Sequence, residues 1–233
     1  MRRGCSLISE YCKVRCSPPC VRWTSLCLFH RFFWKNCVQT NRVLEVALAC
    51  SFLAGKVEEC REDVHDILCT YHDLMSSEGS PTASAELEQF SRSSPTYKRW
   101  KSRMIELEGK MLTDFGFALY SIGENRPHKH LLNLCRVYKC SRGVLNAAWG
   151  FLNDSCTIDL CCRYPPELIS LSCLYLACIV LPPEHSLHDG WHEALFEGSP
   201  ALPAGLNASY TDRTNLQALS DCSNSILHLY SSA

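Results

Sequence analysis

Arg42-Val43-Leu44-Glu45-Val46-Ala47-Leu48-Ala49-Cys50-Ser51-Phe52-Leu53-Ala54-Gly55-Lys56-Val57-Glu58 decides the fold. Read as a helix, it is apolar on nearly every side. A helix of that kind that is shorter than the roughly 20 residues of a membrane span lies in the middle of a protein core. Thr40-Asn41 offers it an N-cap. Residues 166–181 have the same character, and the two segments share a register. Cys50-Ser51-Phe52-Leu53-Ala54 aligns with Cys173-Leu174-Tyr175-Leu176-Ala177 at an offset of 123 residues. Leu48 then falls on Leu171, and Leu28-Phe29 of the preceding segment falls on Phe151-Leu152. Two helices and the link between them keep one register without a gap, which marks an internal duplication.

Working outward, apolar spacing is helical almost throughout and strand signals are nearly absent. Helices are expected at 4–14, 20–34, 42–58, 61–75 and 96–115, then at 128–139, 142–155, 166–181 and 211–230. Ser17-Pro18-Pro19 and Pro182-Pro183 interrupt the pattern, and 182–209 reads as loop with one turn at Trp191–Phe196. Ser76 to Ser94 is rich in Ser, Thr, Pro and Glu, a surface-loop composition. It holds Ser80-Pro81 and ends at Ser94-Pro95, both minimal sites for proline-directed kinases. The fold class is all-α, with two tandem repeats over 1–125 and 126–233, each around a buried third helix.

Net charge is −1, from 23 basic and 24 acidic side chains. The cationic surplus that drives nucleic-acid binding is missing, so no direct nucleic-acid partner is expected. The longest apolar run, Cys173 to Leu181, is half a membrane span, and Met1-Arg2-Arg3 leads into no apolar signal core. A soluble intracellular protein is expected. No P-loop, Gly-rich dinucleotide turn, G-x-S-x-G elbow or H-E-x-x-H is present, so catalysis is not expected, nor any cofactor.

The 17 cysteines are an odd number, and the chain is far longer than a small disulfide scaffold. Cys27, Cys50, Cys135, Cys173 and Cys178 lie in apolar runs, where a thiol acts as a small hydrophobe. Cys12, Cys16 and Cys20 are the best metal candidates but lack the paired C-x2-C spacing of a structural zinc site. His185, His188 and His192 sit in a Pro/Gly-rich stretch and read as solvated. No metal is expected.

The run Leu53-Ala54-Gly55-Lys56-Val57-Glu58-Glu59, closing a buried third helix in a duplicated helical repeat, resembles the cyclin box. Leu28-Phe29-His30-Arg31-Phe32-Phe33, Asn153-Asp154-Ser155 and Arg163-Tyr164-Pro165-Pro166-Glu167 narrow the likeness to transcription- and splicing-associated cyclins of the L type. It covers residues 4–230. The resemblance implies a nuclear regulatory subunit that binds and activates a cyclin-dependent protein kinase as a heterodimer, in transcription and pre-mRNA processing. It also implies the kinase-binding residues: Lys56 and Glu108 as placed charges, with Leu53, Val57, Leu112, Phe117 and Leu119 as apolar contacts.

The repeat register puts Ile179 where Lys56 stands in the first copy. Lysine there suggests a role beyond folding, against the alternative that it merely snorkels to water. Ile179 itself is expected in the core. Gly55 and Gly109, beside the two charges, each cost a helix interior about 1 kcal/mol relative to alanine. They weaken the helix or admit a close partner. The helix that precedes the first box in many cyclins is expected to be missing, since the basic position of the box's first helix falls at Met1. L-type cyclins can carry an Arg/Ser-rich tail, whereas the sequence stops at Ala233, so recruitment to splicing machinery through such a tail is not inferred. Two alternatives stay open: a helical core of the general-transcription-factor type that binds DNA or protein, and a truncated cyclin that binds without activating.

Overall fold

The computed structural model describes residues 1–77, 90–119, 122, 126–182 and 213–231. Among them the regular structure is helical, with no strand. The chain divides into two compact units, Met1–Glu124 and Asn125–Ala233.

The first unit holds α1 (Arg2–Val14), α2 (Pro19–Lys35), α3 (Val43–Val57), α4 (Val64–Ser77) and α5 (Pro95–Asp114). α3 is its centre and packs against all four others. Its buried residues are Val46, Ala47, Leu48, Ala49, Cys50, Ser51, Leu53, Ala54 and Gly55. Their many small side chains let neighbours approach from every side, so the apolar circumference read from the sequence is used in full. Phe29 and Phe32 of α2 and Met104, Leu107 and Met111 of α5 fill the space around it.

The second unit repeats the plan with α6 (Pro127–Val137), α7 (Arg142–Ser155), the short α8 (Leu160–Arg163), α9 (Pro166–Val180) and α10 (Arg213–Ser231). α9 is central and touches the other four. Leu131, Leu152, Leu171, Leu174, Cys222 and Ile226 form the core around it. The offset of 123 carries both ends of α3 onto both ends of α9, the start of α2 onto the start of α7, and the end of α1 onto the end of α6.

One expectation is overturned. Ile179 lies not in the core but at the surface, 60% exposed, with Val180 beside it at 61%. The last turn of α9 runs past the apolar layer, as the last turn of α3 does at Lys56. The register was right; equating an apolar residue with a buried one was not.

Helix ends explain most of the boundaries. Asp63 accepts the His65 N–H at 2.6 Å, so α4 begins at Val64 and not at 61. Ser94 caps α5, accepting the Tyr97 N–H at 3.2 Å, with Pro95 as the first helical residue. Tyr97 is buried and packs edge-on against Phe90. Ser94→Ala is therefore expected to cost about 1 kcal/mol of stability, the usual worth of an N-cap, read by urea denaturation. Ser80-Pro81, His185, His188, His192 and the turn expected at Trp191–Phe196 lie outside the described residues.

Every cysteine is a free thiol. Cys5, Cys27 and Cys50 in the first unit and Cys173 and Cys222 in the second are buried in the core. Burial pushes the Cys5 and Cys222 thiols up to about 11 and raises those of Cys50 and Cys173 well above their ordinary value.

Candidate functional site

The last turn of α3 and the second half of α5 lie side by side, held by Cys50 Sγ against Met111 Sδ at 3.9 Å and by the buried Leu107 and Met111. Across this seam the Lys56 ammonium donates to Glu108 Oε1 at 2.7 Å. The two residues are 52 apart in the chain. Glu108 is buried, 9% exposed, while the Lys56 side chain is 42% exposed and opens to the surface. Phe52, one turn before Lys56, lays its ring 4.1 Å from the ammonium. The cation is thus held between a carboxylate and an aromatic face.

An ammonium has three N–H donors, and Glu108 engages it through one of its two carboxylate oxygens, Oε1. The seam therefore presents both donor and acceptor capacity in one fixed place. A cavity of about 240 Å³ adjoins it, lined by Tyr11, Ser51, Phe52, Gly55, Arg61 and Glu62 among others.

The apolar residues implied by the resemblance divide into two groups. Phe117 is 70% exposed, and Val57 and Leu112 are partly exposed; Val57 follows Lys56 and Leu112 lies one turn after Glu108. Leu53 and Leu119 are buried, at 2% and 9%.

The turn that carries Phe117 is built by the end of α5. The Phe117 N–H donates to Leu112 O at 2.9 Å and the Gly116 N–H to Thr113 O at 3.1 Å, with Gly116 at φ 59°. This is the paired-bond helix terminator that calls for a left-handed residue. Phe117 follows at φ 60°, a conformation that costs a non-glycine residue of order 1 kcal/mol. Asn36 Nδ2 donates to Asp114 Oδ2 at 2.8 Å and the Lys35 ammonium caps Asp114 O, which pins the turn to the end of α2.

Sequence reasoning missed Phe52, Lys35, Asn36 and Asp114. Phe52 had a signal, an aromatic residue four before Lys56 on one helix. The other three meet across 78 or 79 residues, and nothing local announces them.

The two glycines beside the pair differ. A Cβ at Gly55 would stand 3.0 Å from the Cys60 carbonyl oxygen, so glycine there lets the chain's own Glu58–Cys60 turn fold back over α3. Gly109 is exposed, and a Cβ there would meet nothing within 4 Å. Gly109→Ala is expected to stabilise the free chain by about 0.5–1 kcal/mol by removing backbone entropy from the unfolded state, seen as a higher melting temperature.

The carboxylates near the end of α3 enter separate contacts. Glu58 accepts from the Thr24 hydroxyl at 2.6 Å, Asp63 lies 3.7 Å from Arg92, and Asp66 lies 3.4 Å from Arg15. Cys12 is buried and Cys16 exposed. Among the described residues no three His, Cys, Asp or Glu side chains converge as a metal site would require. No helix among them is long and apolar enough to cross a membrane.

The family described as "Cyclin, N-terminal domain" matches residues 1–120. The chain belongs to the cyclin family. It is 31% identical to Cyclin-L1 of Homo sapiens over 181 residues, covering 76% of this chain and 33% of that protein. To Cyclin-L2 of Mus musculus it is 29% identical over 181 residues, with 76% and 33% covered. The chain spans about a third of the length of these curated relatives. Among solved structures, a chain of the yeast RNA Pol II CTD kinase CTDK-1 complex aligns with TM-score 0.65 and 18% identity, over 92% of this chain and 64% of that one. A chain of the CAK complex from Chaetomium thermophilum bound to ATP-gamma-S aligns with TM-score 0.66 and 16% identity, over 97% and 61%. These likenesses show the all-helical cyclin fold.

Proposed function

We propose that the chain is the regulatory subunit of a cyclin-dependent protein kinase, pairing one to one with it in the nucleus and acting in transcription and pre-mRNA processing. Its two units are the first and second cyclin boxes, and it performs no catalysis itself. The observation that carries this reading is the 2.7 Å Lys56–Glu108 pair, set at the α3–α5 seam, with Phe117 exposed in the turn that ends α5. The L-type relatives and the kinase complexes that share the fold support it.

A protein kinase is active only when its own Lys–Glu ion pair is assembled, and that depends on the position of its αC helix. A helix docking on the seam exposes unpaired backbone groups at its end. The remaining Lys56 N–H groups can serve its carbonyls, and Glu108 can accept its amides. Phe117, Val57 and Leu112 supply apolar contact around this centre. Because α3 is packed on all sides, the surface is rigid before the kinase arrives, which lowers the ordering cost of association.

The test uses a panel of recombinant cyclin-dependent kinases mixed with the purified chain. Stable one-to-one binding and a rise in peptide phosphorylation by at least one kinase are expected. Binding without a rise in activity would favour the truncated cyclin that binds but does not activate. Failure to bind any member would overturn the proposal.

A further inference from the structure

We infer that Cys135 and Cys140, at the end of α6, are a dithiol site that peroxide oxidises to an intramolecular disulfide. The inference stands apart from the kinase surface, which lies in the other unit.

The backbone makes the pair. α6 ends in the same two-bond terminator as α5: the Cys140 N–H donates to Cys135 O at 2.9 Å, and the Lys139 N–H to Arg136 O at 3.3 Å. Lys139 takes the left-handed position, φ 49°. This turn brings the side chains of its first and last residues together, and in most helices they make an apolar contact. At the end of α5 those positions are Leu112 and Phe117. At the end of α6 both are cysteines, so the turn sets the two side chains against each other. The neighbouring sulfur shifts both groups: the Cys140 thiol is pushed up, and the Cys135 thiol is drawn below its usual value.

Burial raises the Cys50 and Cys173 thiols, whereas this corner combines a lowered thiol with a second sulfur beside it. Cys135 is 7% exposed and Cys140 partly exposed, so the corner reaches the surface through Cys140. Cys178 of α9 also influences Cys135 but belongs to another helix, and it is the turn at the end of α6 that sets Cys140 against Cys135.

The chemistry balances with hydrogen peroxide as the oxidant. The Cys135 thiolate attacks one peroxide oxygen, forming an S–O bond and breaking O–O, and the departing hydroxide takes up a proton to become water. The Cys140 sulfur then attacks the Cys135 sulfur, the hydroxyl leaves with the Cys140 proton as a second water, and the S–S bond forms. Two thiols are oxidised by two electrons and one peroxide is reduced. In a reducing compartment a thiol reductant reverses the step.

The sequence around the site supplies its own readout. Cleavage after Lys129, Arg136, Lys139 and Arg142 places Cys135 in the fragment 130–136 and Cys140 in the fragment 140–142. After treatment of the whole purified chain with hydrogen peroxide and alkylation of the remaining thiols, these two fragments should be found joined, and separate when reductant precedes alkylation. In Cys140→Ser, whose circular dichroism should match that of the native chain, Cys135 should collect sulfenic acid that dimedone traps. Should Cys140→Ser not fold, the wild-type fragment map decides alone. Recovery of Cys135 and Cys140 both alkylated while the exposed Cys16 and Cys37 are oxidised would overturn the inference. So would Cys135 joined to Cys178, or Cys161 to Cys162, in place of the expected bond.

Discussion

Lys56→Ala and Glu108→Ala should each weaken kinase binding by about 2–5 kcal/mol, the range for truncating one member of a desolvated charge contact. That is a loss of roughly 30-fold or more in Kd. The fold should survive both changes. Lys56 is partly exposed and ends its helix, and Glu108 sits at the rim of the core. The double variant should lose little more than either single one, because the two side chains act as one 2.7 Å unit. Titration calorimetry with the kinase selected from the panel measures the loss, and circular dichroism controls for folding. A double variant that binds like the native chain, with native ellipticity, would remove this surface from the proposal.

The second large effect belongs to the core. Leu174 is fully buried in α9, and Leu174→Ala should cost about 2–5 kcal/mol through lost transfer energy and the cavity left behind. Ile179, five residues on, should tolerate alanine within about 0.5 kcal/mol, because its side chain already meets water. Urea denaturation of the two variants side by side gives the comparison. Equal destabilisation by both would contradict the exposed position of Ile179.

The contrast shows what the sequence made legible. The all-round apolar composition of α3 and α9 and their common register required nothing beyond helical period and length, and both units are built around those helices. Lys56 and Glu108 were implied by likeness as two placed charges, but their pairing was not legible: nothing in the local sequence sets residues 52 apart at hydrogen-bonding distance. Ile179 was misplaced because hydrophobicity reports the preference of a side chain, whereas exposure depends on where the helix leaves its neighbours. The burial of Leu53 and Leu119 was not legible either, since which face of a helix or turn is covered is decided by packing. Phe117 could be named from sequence, but its left-handed backbone depends on the Gly116 turn and the clasp from Lys35 and Asn36.

The buried thiols have a practical consequence. Alkylating reagents attack the thiolate, and Cys5, Cys50, Cys173 and Cys222 combine near-zero exposure with raised affinity for their protons. Each can react only while its surroundings are open. Timed alkylation of the unmodified chain, with each cysteine quantified by mass, therefore reports an opening free energy residue by residue, as amide exchange does for the backbone. Cys50 and Cys173 occupy equivalent points at the hearts of the two repeats. The ratio of their labelling rates compares the opening of one repeat with that of the other, with no probe introduced.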